Sequence, residues 1–170
     1  MSHDLITLQT SFGLQCSNGG LFISRGEGTH PDRKVASYEL IFVRKGSLSI
    51  QEEENSFVVT AGQSLILWPG RRHWGAAPFS PDLSFFWVHF TLTPAPSKPQ
   101  KQEMVVSQYV TLSRPDHFTE LFRRFLDDQE SGALDQTIAS LLLMLMLCEV
   151  AQSRIPASKV ESAAVLLLVL

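Results

Sequence analysis

The sequence predicts a mainly β domain, a small barrel of short strands followed by two or three packed helices. Three observations carry that expectation. Up to residue 112, short apolar segments recur every 8–12 residues between glycines and prolines, the spacing of a sandwich or barrel. From Ser113 the apolar period becomes helical. The chain is 44% hydrophobic and 18% charged, enough for a proper core in one domain of 170 residues.

Taken in order, Leu21-Phe22-Ile23 reads as a short strand between Gly19-Gly20 and Gly26-Glu27-Gly28, with residues 1–20 ahead of it as an N-terminal arm. Tyr38-Glu39-Leu40-Ile41-Phe42-Val43 is a strand that ends in the turn chemistry of Arg44-Lys45-Gly46. Ser47-Leu48-Ser49-Ile50-Gln51 alternates as a half-buried strand does. Glu52-Glu53-Glu54-Asn55 reads as a solvated hairpin tip, because three like charges repel unless they face water. Phe57-Val58-Val59, Leu65-Ile66-Leu67 and residues 83–92 supply further strands. Residues 94–102 carry three prolines and form an exposed excursion, after which Val105-Val106 and residues 109–112 return to the sheet.

Ser113-Arg114-Pro115-Asp116 opens the first helix, with a capping serine, a proline in the first turn and an acid beside it. Phe118, Leu121, Phe122, Phe125 and Leu126 form one apolar stripe, and Ser131-Gly132 ends the helix. A second helix runs over about 134–153 and is apolar nearly all round between Ile138 and Cys148. Pro156 breaks it, and Ser158 begins a third. A helix with apolar residues on every side must be covered more than once. Leu141, Leu142, Met144 and Leu145 are therefore candidates for a dimer interface, with packing against the barrel as the alternative.

Composition excludes several classes. With 14 basic and 17 acidic residues the net charge is −3, so the chain lacks the basic face of a nucleic-acid binder. Cys16 and Cys148 are two cysteines far apart, expected as buried free thiols. The N-terminus has no basic region followed by an apolar run, and residues 141–148 are too few to span a membrane, which takes about 20. A soluble, cytoplasmic protein without a membrane partner is expected. The final apolar run, residues 163–170, reads as the end of a fragment of a longer protein. Gly-x-Ser-x-Gly, a cysteine with a base and a phosphate-cradling glycine loop are all missing, and Arg71-Arg72 reads as solvated surface.

Tyr38 to Gly46 and Gly62-Gln63-Ser64-Leu65-Ile66-Leu67-Trp68-Pro69-Gly70-Arg71-Arg72-His73 look like the two halves of a cupin barrel. With the strand Phe85-Phe86-Trp87-Val88-His89-Phe90, and helices following the barrel, residues 30–150 resemble the N-terminal effector-binding domain of AraC-type transcription regulators. The resemblance implies a cupin-like barrel (double-stranded β-helix or jelly roll) over 1–112. It also implies a helical dimerisation segment over 113–170, and a DNA-binding domain with two helix-turn-helix units beyond it. A small effector would bind in the barrel and two subunits would pair. DNA would be reached only through the further domain.

Cupin enzymes take metal ligands from His-x-His, a glutamate and a second-motif histidine. Glu39 stands seven residues before Gly46, as that spacing requires, and His73 follows Gly70. The first two histidines are missing, and His30, nine residues before Glu39, is too far along the chain. No metal and no cofactor are expected, since a catalytic site needs about three protein ligands. A metal-dependent cupin enzyme, a sugar isomerase or dioxygenase, is the alternative to the sensor. His89 is a candidate third ligand or a core histidine with one hydrogen bond.

If the register holds, Glu39 points into the barrel and needs a proton, a ligand or a partner such as His73 or Arg33; a slip by one residue would turn it outward. Phe85, Trp87 and His89 share one face of their strand, and Phe86, Val88 and Phe90 share the other. By resemblance, Phe85 and Trp87 line the effector pocket, whose aromatic faces suit a sugar ring or a small aromatic compound. Trp87 and His73 are the leading pocket residues. His30 and Arg33 are placed to close its mouth, with Trp74 beside it.

Overall fold

Both faces of the central sheet are buried, and this decides how the chain is laid out. The computed structural model describes residues 5–9, 13–93 and 103–153. In chain order the strands are β1 (Leu5–Gln9), β2 (Gly13–Ile23), β3 (Arg33–Lys34), β4 (Tyr38–Lys45), β5 (Ser47–Glu52), β6 (Asn55–Thr60), β7 (Gln63–Leu67), β8 (Arg72–Gly75), β9 (Ser84–Thr93), β10 (Glu103–Ser107) and β11 (Tyr109–Thr111). Two helices follow, α1 (Pro115–Glu130) and α2 (Gln136–Ser153). One sheet has the order β11-β7-β4-β9-β2, a second β3-β8-β5-β6, and β1 pairs with β10. All pairs are antiparallel, as expected for a cupin-like barrel carrying two helices.

Alternation along β4 and β9 separates two cores. Ile41, Val43, Leu65, Leu67 and Phe85 face the second sheet and pack on Leu48, Ile50, Phe57 and Val59 inside the barrel. Leu40, Phe42, Ile66, Phe86, Val88 and Phe90 face the other way, onto the helices. There Phe122 stacks on Phe86 at 5.0 Å between ring centroids, and Phe118 meets Phe42 edge-on at 5.0 Å. These contacts use the apolar stripe of α1. In α2, Ala139, Leu143, Met146, Leu147 and Val150 are buried, so its apolar length serves packing on the barrel.

The edge of β2 is covered by helix side chains. Gln129 accepts from the Gly19 N–H at 3.0 Å and donates to its carbonyl at 3.0 Å, and Ser140 Oγ donates to the Leu14 carbonyl at 2.6 Å. Edge groups that would pair with another strand are thereby satisfied within the chain.

Several expectations are corrected. Gly13–Ile23 is one long strand, so residues 13–20 belong to the sheet and not to an arm. Glu52 is not in a solvated tip. It continues the inward alternation of Leu48 and Ile50, is fully buried, and accepts from the Trp68 N–H at 2.6 Å and from Gln108 Nε2 at 2.6 Å. Arg71 is not simply surface, because its guanidinium reaches Glu52 at 3.4 Å and lies over Trp68. The N-cap position of α1 is held by Arg114, not Ser113, and no side chain bonds the first turn there; Ser113 donates its backbone N–H to Ser153 Oγ at 2.9 Å. Asp135 Oδ1 accepts from the Ile138 N–H at 2.8 Å and so caps α2. Cys16 and Cys148 are free, though half-buried. The third helix, the proline-rich loop and the C-terminal apolar run lie outside the described residues.

Phe122→Ala removes a ring buried between sheet and helices and is expected to cost about 3–5 kcal/mol in urea unfolding. Val58→Ala, on an exposed face of β6, is expected to stay within about 0.5 kcal/mol.

Candidate functional site

The inward face of the five-stranded sheet sets side chains in rows. Glu39 of β4 lies opposite His89 of β9, Ile41 opposite Trp87 and Val43 opposite Phe85. On the other side of β9, Gly20 is paired with Trp87 and Phe22 with Phe85. Gly20 is required by close approach: a Cβ there would fall 2.7 Å from the Trp87 indole. The indole therefore lies over the backbone of β2.

Beyond these rows is a cavity of about 360 Å³, near the lower end of small-molecule pockets at about 300–1,000 Å³. Phe22, Phe79, Phe85 and Trp87 form its aromatic wall. Phe22 packs between Phe79 and Phe85 with centroids 4.7 and 4.8 Å away. The polar wall is Arg33, Glu39, His30 and His89, completed by Thr29 and Pro31.

Glu39 points inward and is 2% exposed. Arg33 Nη2 donates to its Oε2 at 2.8 Å, and Arg33 Nε donates to His73 Nε2 at 3.2 Å. One guanidinium therefore serves a carboxylate and an imidazole together. His73 Nε2 must be the lone-pair nitrogen, since a guanidinium only donates. His30 Nδ1 lies 3.2 Å from the Pro31 carbonyl, which can only accept, so its Nε2 keeps the lone pair. His89 Nδ1 lies 2.9 Å from Ser37 Oγ, and its Nε2 is 3.8 Å from Glu39.

Burial raises the Glu39 carboxyl above its ordinary value, and the Arg33 charge partly offsets that. Burial, then Arg33 and His73, lowers His30 to about 4. Burial, then Arg33, likewise lowers His73 to about 4. His89 is lowered by the same two causes. All three imidazoles are neutral at pH 7.

The structure brings Glu39, Arg33, His30, Phe85, Trp87 and His89 into one cavity wall. His73 is completely buried and is not among the lining residues; its link to the cavity runs through Arg33. Trp74 also lies outside the lining, beneath the Arg72 guanidinium at 5.1 Å. Phe22 and Phe79 were not singled out in the sequence. Phe22 could have been found by extending β2's alternation, whereas Phe79 sits in a loop and gives no periodic signal. Leu141 and Leu145 face outward, 62% and 51% exposed, while Leu142 and Met144 are half-buried against the helix-side core.

His30 is closer to the other ligands than its sequence distance implies. The Gly75 N–H donates to the His30 carbonyl at 2.9 Å, and a Cβ on Gly75 would come within 2.5 Å of the His30 nitrogen. This contact folds the loop onto β8. Ligand atoms of His30, Glu39 and His73 consequently lie within 4.8 Å of one another. Tested against the metal implied by a cupin barrel, the arrangement does not fit. Arg33 already donates to Glu39 and His73, two of the three donors an ion would need.

Residues 23–147 match the family described as AraC-like ligand binding domain, and the chain belongs to that family. The protein named uncharacterized HTH-type transcriptional regulator YisR, of Bacillus subtilis (strain 168), is 38% identical over 76 residues. That match spans 41% of this chain and 26% of the relative's length. Among solved structures, the plu4264 protein of Photorhabdus luminescens is 25% identical over 51% of this chain and 73% of its own, with a TM-score of 0.36. A cupin 2 conserved barrel domain protein of Salinispora arenicola is 14% identical over 52% and 76%, also at 0.36.

The two strongly shifted histidines predict a pH effect. Both fall from an ordinary 6.5 to about 4, so below pH 6.5 the unfolded chain takes up protons that the folded chain refuses. Stability then falls as pH drops from 6.5 towards 4, by about 1.2 kcal/mol per pH unit per histidine near pH 5. Glu39 and Glu52, both raised, act in the opposite sense. Urea unfolding of His30→Gln between pH 4.5 and 7 is expected to show a slope flatter than wild type by about one histidine's share.

Proposed function

We propose that the chain is the sensing and dimerisation domain of an AraC-type transcription regulator, and that a small sugar-like or aromatic effector binds in the 360 Å³ cavity. The observation that carries this reading is the pairing of an aromatic wall with a directed polar wall in a chain of the AraC-like ligand-binding family. Trp87 offers a face for stacking. The Arg33–Glu39 pair offers a donor and an acceptor side by side, the chemistry that orients a polyol or a polar aromatic compound. The protein acts as a cytoplasmic sensor and not as an enzyme, and DNA is a partner only of a further domain.

The route from cavity to helices is one strand thick. Trp87 faces the cavity, while Phe86 and Val88 beside it face the helix-side core, where Phe86 stacks on Phe122 of α1. Gln129 clamps Gly19, next to the Gly20 that underlies Trp87. An effector that moves Trp87 therefore acts on strands that α1 grips directly. Such a shift biases the following domain only to the extent that the effector prefers one arrangement.

A thermal-shift screen against sugars, polyols and aromatic acids tests the effector reading. An organic compound is expected to raise the unfolding midpoint, and Trp87→Ala is expected to abolish that rise. Stabilisation that survives Trp87→Ala unchanged would place the ligand elsewhere. Leu141 and Leu145 form the proposed dimer seam. Sedimentation is expected to show a dimer that becomes monomeric in Leu141→Asp/Leu145→Asp, whereas a wild-type monomer at 100 µM would remove the dimerisation role from this face.

A further inference from the structure

We propose that the Arg33 guanidinium is a tethered cation occupying a latent transition-metal site formed by His30, Glu39 and His73, and that Arg33 keeps divalent metal out of the pocket. The inference concerns this chain's own charge balance and does not rest on the effector reading.

The donor set is of the kind a borderline metal prefers, two imidazoles and a carboxylate with one position left open. The three come from different pieces of the fold: the loop before β3, strand β4 and strand β8. Two ligands of a tetrahedral ion with bonds of about 2.0–2.2 Å lie about 3.3–3.6 Å apart. The observed limit of 4.8 Å is wider than that, with the Arg33 guanidinium bonded to two of the three donors, so an ion in its place would draw the side chains inward by up to about 1 Å. The Nδ1 bond to Pro31 fixes the His30 ring in the tautomer that leaves Nε2 available, a support often given to metal-binding histidines. The fourth position would open to the cavity, which His30 and Glu39 both line.

A buried carboxylate needs a positive partner, and here the protein provides it. Arg33 donates to His73 at 3.2 Å, taking the one lone pair of its ring, and to Glu39 Oε2 at 2.8 Å, which sets a positive charge against the carboxylate an ion would need. An arginine cannot be deprotonated at any working pH, so the occupancy is permanent while the side chain stays in place. It comes from the short edge strand β3 and is 35% exposed, reaching inward from the rim of the barrel. Its removal would take away a charge without opening a packed apolar core.

The test is a titration of the whole chain with cobalt(II) in the absence of any organic ligand, followed by visible absorption and by the unfolding midpoint. Wild type is expected to show no site-specific band. Arg33→Ala is expected to bind one cobalt per chain at least 100-fold more tightly than wild type, with new visible bands and a raised midpoint. Arg33→Ala/Glu39→Gln is expected to lose both. Arg33→Gln, which retains an N–H donor towards Glu39, is titrated in parallel, so the test survives if Arg33→Ala fails to fold. The proposal is overturned if wild type binds cobalt as tightly as the Arg33 variants, if the folded variants bind none, or if Glu39→Gln leaves binding intact.

Discussion

Covering the five-stranded sheet on both faces is the constraint on which the rest of the protein depends. β4 and β9 carry apolar or aromatic side chains on both sides, so neither face can be left to water. One face is closed by the second sheet, which makes a barrel. The other is closed by α1 and α2, whose phenylalanines and long aliphatic side chains share one core with it. The same alternation decides which residues can reach the pocket. Phe85, Trp87 and His89 face inward because Phe86, Val88 and Phe90 are held by the helices. Helix packing thereby fixes the register of the site.

Among the described residues, buried carboxylates follow one pattern. Glu39, Glu52 and Glu149 are each buried, and each is met by an arginine whose own side chain remains partly exposed: Arg33, Arg71 and Arg114. An arginine can deliver its charge inward while its stem spans the rim, which limits the desolvation of the cation itself. The three pairs sit at structurally distinct places. Arg33–Glu39 lies on the pocket wall, and Arg71–Glu52 ties the second sheet to the turn after β7 and, through Gln108, to the link before β11. Arg114–Glu149 joins the start of α1 to the last turns of α2, with His117 Nδ1 3.1 Å from the same carboxylate. Ionic contacts thus add a second, directional tie between elements that meet at the margins of the apolar cores.

In the pocket the consequence is a positive centre surrounded by neutral rings. Arg33 and burial both oppose protonation of His30, His73 and His89, so the cluster holds one cation and not several. Glu39 is kept in use as an acceptor by the same guanidinium. Next to four aromatic side chains, this leaves a small cavity whose polar character is confined to one wall.

Much of this was legible along the chain. Alternation placed most strands, the 118–126 stripe placed α1, and the spacing from Glu39 to Gly46 and from Gly62 to His73 pointed to the barrel and to an inward Glu39. Glu52 was misread because its charge and its two glutamate neighbours outweighed a two-residue period that continued through it. Residues 13–20 were misread because Gly19-Gly20 has the composition of a turn, although Gly20 is in fact the space that Trp87 fills. Local pattern determined the elements and the faces of the strands, since periodicity needs only neighbours in sequence. Tertiary structure alone decided that Arg33 would join Glu39 to His73, that Gly75 would draw His30 towards them, and that Phe79 would complete the aromatic wall. Those contacts join residues from separate strands and loops, and their distances are set by the closure of the barrel, which no local pattern encodes.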